Sequence, residues 1–343
     1  MKGISIIICC YNSSTRIKPT LSHIYRQEKT EAIKWEIILV DNNSKDETAK
    51  IAKEYWSSLD IELELIIIAE KNPGLSFARL KGIENSKYNL VLFCDDDNWL
   101  APDYVYRAYN FMESNIKVGM LGGTGYPVID SQEPNWFQNF TSLYAVGKQG
   151  LVSGDITFTK GYVYGAGAVI RKKVYQRIRE LNIQFLLTGR KSNVLSSGED
   201  NEIGYCIAFS GYQIYYDENL KFKHFIPPER LTLDYIKRMR IGYGYTYDII
   251  KCYQSLLHSK GSIRRTKKTR YREYIVYARN VFKLLLLKLS FRSNIVDFIF
   301  GFYSSFYLLR EGLIKWNENL KNEKVIFENY QKLNQMKNIN DGK

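Results

Sequence analysis

The chain predicts an α/β fold, a mostly parallel sheet flanked by helices, followed by a basic, mainly helical C-terminal extension. Three observations predict it. Short apolar runs rich in β-branched residues alternate with segments of helical spacing through the first hundred residues. Each run stops at polar residues, and a parallel sheet collects such loops on one edge. The charge is also divided. Residues 230–343 hold 23 Lys+Arg against 9 Asp+Glu, whereas residues 1–229 hold 26 against 27.

The elements follow in order. Ser5–Cys9 is an Ile-rich strand, and Ser14–Gln27 carries Ile17, Leu21 and Ile24 at helical spacing. Trp35–Val40 is a strand, and Lys45–Trp56 is a helix with Ser44 as N-cap and Glu47 three residues on. Strand Glu62–Ala69, helix Leu75–Asn85 and strand Asn89–Cys94 complete a β-α-β-α-β-α-β order. Further on, Asp103–Glu113 is helical, Val118–Ile129 is strand and turn, and 130–160 is irregular. Tyr162–Ile170 reads as a strand containing Gly165-Ala166-Gly167, Lys172–Leu181 and Glu199–Phe209 as helices, and Tyr212–Tyr216 as a strand. Pro227-Pro228 ends this body, and from Leu231 the chain is helical.

The five cysteines (Cys9, Cys10, Cys94, Cys206 and Cys252) have neither metal-site spacing nor an even framework. Buried reduced thiols are expected, and with no signal-peptide pattern at the N-terminus a cytosolic setting is expected too.

The triple carboxylate Asp95-Asp96-Asp97 directly follows an apolar run. Like charges at a strand end repel unless something cationic meets them. Mg²⁺ or Mn²⁺, which take carboxylate and phosphate oxygens together, would do so. The alternative is an acidic loop with solvated charges and a helix start at Pro102. The other strand ends, Cys10-Tyr11-Asn12 and Asp41-Asn42-Asn43-Ser44, lie on the same predicted edge; they suit a base, or are ordinary capped turns. Asn72-Pro73-Gly74 opens the helix bearing Arg79, an arrangement suited to an anion or a base carbonyl. Gly165-Ala166-Gly167 permits close backbone approach to a ligand, or is a strand bulge. Glu199-Asp200 starts a helix, where acids serve the dipole or a general base. His224 is structural, or binds metal or phosphate.

Taken in order, these stretches resemble the inverting, non-processive glycosyltransferases of family 2, with the Rossmann-like GT-A fold. The matching elements are Ile8–Asn12, Val40–Ser44, Asn72-Pro73-Gly74 with Ala78-Arg79, Phe93–Leu100, Gly165–Gly167, Gly198-Glu199-Asp200 and His224, running over about residues 3–228. The resemblance implies a catalytic domain over 1–228, with a nucleotide-binding half (1–100) and an acceptor half (101–228), and a separate helical region over 229–343. It implies that Tyr11, Asp41 and Arg79 hold the nucleotide base, joined in the nucleotide site by Asn12, Asn72, Asp95 and Asp96. Asp97 and His224 would hold Mn²⁺ or Mg²⁺, with Asp95 nearer the ribose. Asp200 would be the base, Glu199 would orient it or the acceptor, and Gly165, Gly167 and Trp99 would lie about the sugars. A UDP-sugar donor by default, with a guanine or thymine nucleotide as the alternative, and transfer of one hexosyl or N-acetylhexosaminyl unit per acceptor visit follow from the resemblance. No Gln-x-x-Arg-Trp motif succeeds Asp200, which speaks against a processive polysaccharide synthase. Specificity is expected in 120–165 and around Gly189–Ser197.

The tail predicts an anionic partner. Lys260–Arg272 holds seven positive charges and no acid, and Val281–Phe291 and Ile295–Leu309 are apolar, interrupted at Arg292-Ser293-Asn294. Neither reaches the roughly 18–20 apolar residues that spanning requires. Docking on the inner face of the cell membrane, beside a lipid-linked saccharide acceptor, is one expectation. A helical hairpin packed on the body is the other. A nucleic-acid partner would use the same charge but leaves the body's motifs without a purpose, so none is expected. A sugar nucleotidyltransferase would need a Gly-rich first loop with a basic residue, and a dinucleotide enzyme a G-x-G-x-x-G after the first strand; neither is present. A glycan-binding relative without activity would not need the intact acids.

Overall fold

In the computed structural model, the described residues are 1–187, 189, 198–261, 267–289 and 295–340. Residues 190–197 of the expected specificity segment, 262–266 of the basic run, and 290–294, the end of the first apolar segment and its interruption, lie outside them.

The first half alternates as expected: β1 (Ile4–Cys10), α1 (Ile17–Tyr25), β2 (Trp35–Asp41), α2 (Thr48–Ser57), β3 (Leu65–Ala69), α3 (Leu75–Asn85) and β4 (Leu90–Asp95). Then come β5 (Asn98–Leu100), α4 (Tyr104–Ser114), β6 (Val118–Val128), a 3₁₀ helix (Phe137–Tyr144), β7 (Gly154–Asp155), β8 (Val169–Arg171), α5 (Lys172–Glu180), α6 (Glu199–Phe209) and β9 (Gln213–Phe225). A 3₁₀ turn (Pro228–Arg230) leads into α7 (Leu233–His258), α8 (Lys267–Leu289), α9 (Ile295–Ile314) and α10 (Trp316–Asn340).

The strands form one sheet in the order β3-β2-β1-β4-β8-β6-β9-β5, with β7 on β9. The β3-β2-β1-β4 half is parallel, and β8 turns antiparallel to both β4 and β6. β1 is buried on both faces. Ile4, Ile6 and Ile8 meet Ile17, Leu21 and Val105 on one side, while Ile7 meets Ala78 and Ile83 on the other. Burying each such isoleucine stabilises by about 2 kcal/mol. Gly82 lets α3 approach, because a Cβ there would lie 2.4 Å from Ile7 Cγ2.

Several boundaries differ from the sequence expectation. α2 begins at Thr48, not Lys45, and Ser44 does not cap it. Instead, Asp46 Oδ1 accepts from the Thr48 N–H at 3.1 Å, and Ser44 Oγ accepts from the Asn12 N–H at 3.0 Å. The expected strand over 162–170 shrinks to β8, with Gly165–Gly167 in the loop before it. The strand expected over 212–216 runs on to Phe225, so His224 lies inside β9 rather than after a loop. Core packing also crosses residue 228: Tyr253 of α7 stacks on Tyr205 of α6 at 5.5 Å, and Ile326 and Leu333 of α10 join the same cluster. Among the described residues, no helix is long and apolar enough to cross a membrane.

Candidate active site

The parallel strands end together: Cys10 pairs with Asp41, and Cys9 with Asp95. Past this edge lies a cleft of about 1140 Å³. Tyr11, Asn72, Arg79, Asp95, Asp96 and Asp97 line it together with Gly165, Glu199, Asp200 and His224.

Each acid of the triple carboxylate has its own arginine. Asp95 Oδ1 is 3.7 Å from Arg79, Asp96 Oδ2 2.8 Å from Arg16, and Asp97 Oδ2 3.0 Å from Arg230. Ser13 also donates to Asp96, and Thr20 Oγ1 donates to the Asp96 carbonyl at 2.8 Å. Pairing of β5 with β9 sets His224 opposite Asn98, which brings its Nε2 to 3.4 Å from Asp97 Oδ1. Burial pushes the Asp97 carboxyl up, but His224 and Arg230 outweigh it and hold it well below the usual carboxylate range. Burial and the Asp97 charge push Asp96 the other way, upward, against Arg16 and Ser13. Burial would lower the His224 imidazole, but Asp97 raises it above its ordinary value.

Arg79 is buried between two acids, with Glu199 Oε1 3.7 Å away and its guanidinium 5.1 Å from the Phe93 ring centroid. This arginine therefore ties the first carboxylate of the triple to the start of α6. A side chain on the loop before β8 would crowd the Arg79 guanidinium, since a Cβ at Gly165 would lie 2.3 Å from Arg79 Nη2. The Gly165 N–H donates to Asp200 Oδ2 at 2.8 Å, and the Asn201 N–H to Asp200 Oδ1 at 2.9 Å. The carboxylate is thereby aimed at the cleft from the first turn of α6. Nearby, Lys160 lies 3.9 Å from the Tyr164 ring centroid and donates to Gln149 Oε1 at 3.0 Å. Burial pulls its ammonium down to about 8, with Asp200 opposing.

Four expected site residues do not line the cleft. Asn12, at φ 50°, knits two loops: its side-chain oxygen accepts from the Lys45 N–H at 2.8 Å. Asp41 closes its own turn, accepting from the Ser44 N–H at 3.2 Å. Trp99 is stacked between His23 at 5.6 Å and Phe225 at 5.9 Å. Gly167, at φ 72°, serves packing; its carbonyl accepts from Tyr104 Oη at 2.6 Å. Cys9 and Cys10 reach the cleft, and burial pushes the Cys9 thiol up to about 12, leaving it protonated.

Sequence reasoning missed Arg16, Arg230, Asn42 and the aromatic wall. Asn42 shapes the Asn72–Gly74 turn, accepting from the Gly74 N–H at 2.8 Å and donating to the Asn72 carbonyl at 2.6 Å. Tyr144, Tyr162, Tyr164, Tyr235 and Tyr243 also line the cleft. The signal for Arg230 is a cation two residues after Pro228, just past the expected end of the body. Among the described residues, no three His, Cys, Asp or Glu side chains are grouped as a metal site.

Comparison with known proteins identifies the family and the fold. A family profile described as Glycosyl transferase family 2 matches residues 5–179. The poly-beta-1,6-N-acetyl-D-glucosamine synthase of Staphylococcus epidermidis is 30% identical over 123 residues, 36% of this chain and 28% of that protein. The glucosyl-dolichyl phosphate glucuronosyltransferase of Haloferax volcanii is 21% identical over 253 residues, 71% of this chain and 75% of that protein. The chain spans less than a third of the length of the bacterial relatives it matches. Among solved structures, the mannosyltransferase PcManGT from Pyrobaculum calidifontis, in complex with GDP-Man and Mn²⁺, shares the fold. Its TM-score is 0.57 at 16% identity, covering 92% of this chain and 87% of that one. With GT-A topology around the cleft and a family profile spanning half its length, the chain belongs to glycosyl transferase family 2.

Proposed function

We propose that this protein transfers one sugar from a nucleotide-sugar donor, a UDP-sugar, to a saccharide acceptor, with inversion. The observation that carries this is the shared cleft: the Asp97, His224 and Arg230 group and the Asp200 carboxylate both line it. Arg16, Arg79 and Arg230 supply fixed positive charge where a diphosphate would gather negative charge, and the exposed Tyr11 ring offers a face for the base. Asp200, held by the Gly165 N–H, would take the proton of the acceptor hydroxyl. That oxygen bonds to the anomeric carbon as the bond to the nucleoside diphosphate breaks on the opposite face, so the configuration inverts. The tyrosine wall would hold the acceptor through ring faces and hydroxyls.

The residues fit Mn²⁺ or Mg²⁺. His224 Nδ1 is buried without a hydrogen-bond partner among the described residues, while the ring's Nε2 faces the Asp97 carboxylate at 3.4 Å. Magnesium in particular commonly takes one or two protein ligands and fills its shell with phosphate oxygens and water. Bound there, the ion would act as a Lewis acid on the leaving diphosphate. The proposed acceptor is lipid-linked, with the enzyme working peripherally on the cytoplasmic membrane face. The +14 balance of residues 230–343 supports this.

A thermal-shift panel of UDP, GDP, dTDP and CDP, each with and without Mn²⁺, tests the donor site. Stabilisation by UDP that grows with Mn²⁺ is expected. No shift with any nucleotide would sink the donor reading, and a shift with GDP alone would reassign the base.

A further inference from the structure

We propose that α8 is the element that lies on an anionic lipid surface, its outward apolar stripe entering the headgroup boundary. This rests on the peripheral-membrane reading above and narrows it to one helix. Tyr271, Ile275, Phe282, Leu285 and Leu286 recur at three- to four-residue steps, apart from one longer interval occupied by Ala278, so they form one stripe. All are exposed, Phe282 at 64% and Tyr271 at 62%. Arg272, Arg279 and Lys283 are exposed too, and the helical step places them together along one flank of the stripe. Lys267–Leu289 contains seven Lys or Arg residues and one acid, Glu273.

The opposite face is fixed to the protein. Tyr274 Oη donates to Asp248 Oδ2 of α7 at 2.7 Å, Tyr277 Oη to Tyr247 Oη, and Arg270 pairs with Glu323 of α10 at 3.1 Å. The stripe is therefore presented by an anchored helix. α9, the second apolar segment, has a different role. Its Gly301 admits Leu284 of α8, and Tyr307 lies against Gly244 of α7, so much of it is spent on packing. The membrane expectation and the hairpin expectation thus divide between the two helices.

Charge selects the occupant. A second copy of the chain would set the basic flank against itself, whereas an anionic bilayer complements it. α7 supplies Tyr235, Met239, Arg240 and Tyr243 to the cleft and also anchors α8. Docking through α8 would therefore tether the acceptor wall near the headgroups.

The test is flotation of the full chain with phosphatidylcholine vesicles and with vesicles containing phosphatidylglycerol. Wild type is expected to float with the anionic vesicles at low salt and to stay behind with the neutral ones. Phe282→Glu/Leu286→Glu should lower the floated fraction about tenfold, and Arg279→Glu/Lys283→Glu should remove its dependence on anionic lipid. Wild type remaining at the bottom, or the Phe282→Glu/Leu286→Glu protein floating as wild type does, overturns the proposal. So does a wild-type dimer in light scattering that this same variant converts to monomer, since a second copy would then own the stripe. UDP-induced thermal shift, measured on all three proteins, separates the readings. Retained shift with failed flotation sinks only the docking; lost shift in wild type sinks the donor site and leaves flotation to stand by itself.

Discussion

Arg230 and Asp97 are 133 residues apart in sequence and 3.0 Å apart in the fold. The last residue of the 3₁₀ turn before α7 thus reaches back to the last acid of the triple carboxylate. That acid also faces His224, so a guanidinium and an imidazole share one carboxylate before any ligand arrives.

Removing Arg230 leaves Asp97 buried with one partner fewer. Arg230→Ala is expected to cost about 2 kcal/mol, less than a fully buried pair because the guanidinium is partly solvated. Mn²⁺ should restore more stability to the variant than to wild type, because the competing cation is gone. Thermal unfolding with and without Mn²⁺ checks this, and equal metal responses would remove Asp97 from the metal site.

Asp200→Asn keeps an oxygen for the Gly165 N–H and removes the basic carboxylate. Transfer should fall by about three orders of magnitude, while UDP binding stays within a factor of about two. Turnover within tenfold of wild type would take the base role away from Asp200.

Gly165→Ala places a methyl group 2.3 Å from Arg79 Nη2. Overpacking of this kind costs about 1–3 kcal/mol. Either the loop or the Arg79 guanidinium must shift, and a shift of Arg79 away from Asp95 and Glu199 should lower transfer together with the urea midpoint. A variant with wild-type stability and turnover would show that the loop moves aside freely.

Glu202 sets a pH dependence. It is fully buried and accepts from the Leu186 and Leu187 N–H groups and from Tyr253 Oη. Burial pushes its carboxyl up to about 7 from 4.5, against those hydrogen bonds. A folded-state value above the unfolded one stabilises fully below 4.5, and the contribution is lost as pH rises through about 7. Over that window about 3 kcal/mol should disappear. Glu202→Gln should flatten the dependence, at the cost of an amide N–H₂ facing donors. Urea midpoints across the window test it, and an unchanged slope in the variant would assign the dependence elsewhere.

The parallel half of the fold was legible because its strands are uninterrupted Ile, Leu and Val runs ending in polar residues. Part of the cleft was legible for the same reason, since Tyr11 and the triple Asp sit at or just past such ends, whereas Arg79, Gly165 and Glu199-Asp200 lie in helices and a loop and stood out by residue type and order. Chemistry at a motif position did not by itself say where a side chain points. Asn12 and Asp41 spend their oxygens on local turns, and Trp99 is taken by His23 and Phe225. β9 was cut short because Asp217, Glu218 and Asn219 look like a turn, yet its pairing with β6 carries the strand past them after a register shift. Arg230 was illegible because its partner is far away in sequence, and only tertiary packing brings them together.

Tyr253 joins the basic region to the body in a way that makes the region impossible to shed like a tag. Its ring covers Tyr205 and its hydroxyl meets Glu202, both on the helix that begins with Glu199 and Asp200. A chain ending at Pro228 would carry a bare carboxyl and an uncovered aromatic face behind its proposed base. Truncation would therefore weaken the chemistry from behind, whatever the tail does at a surface.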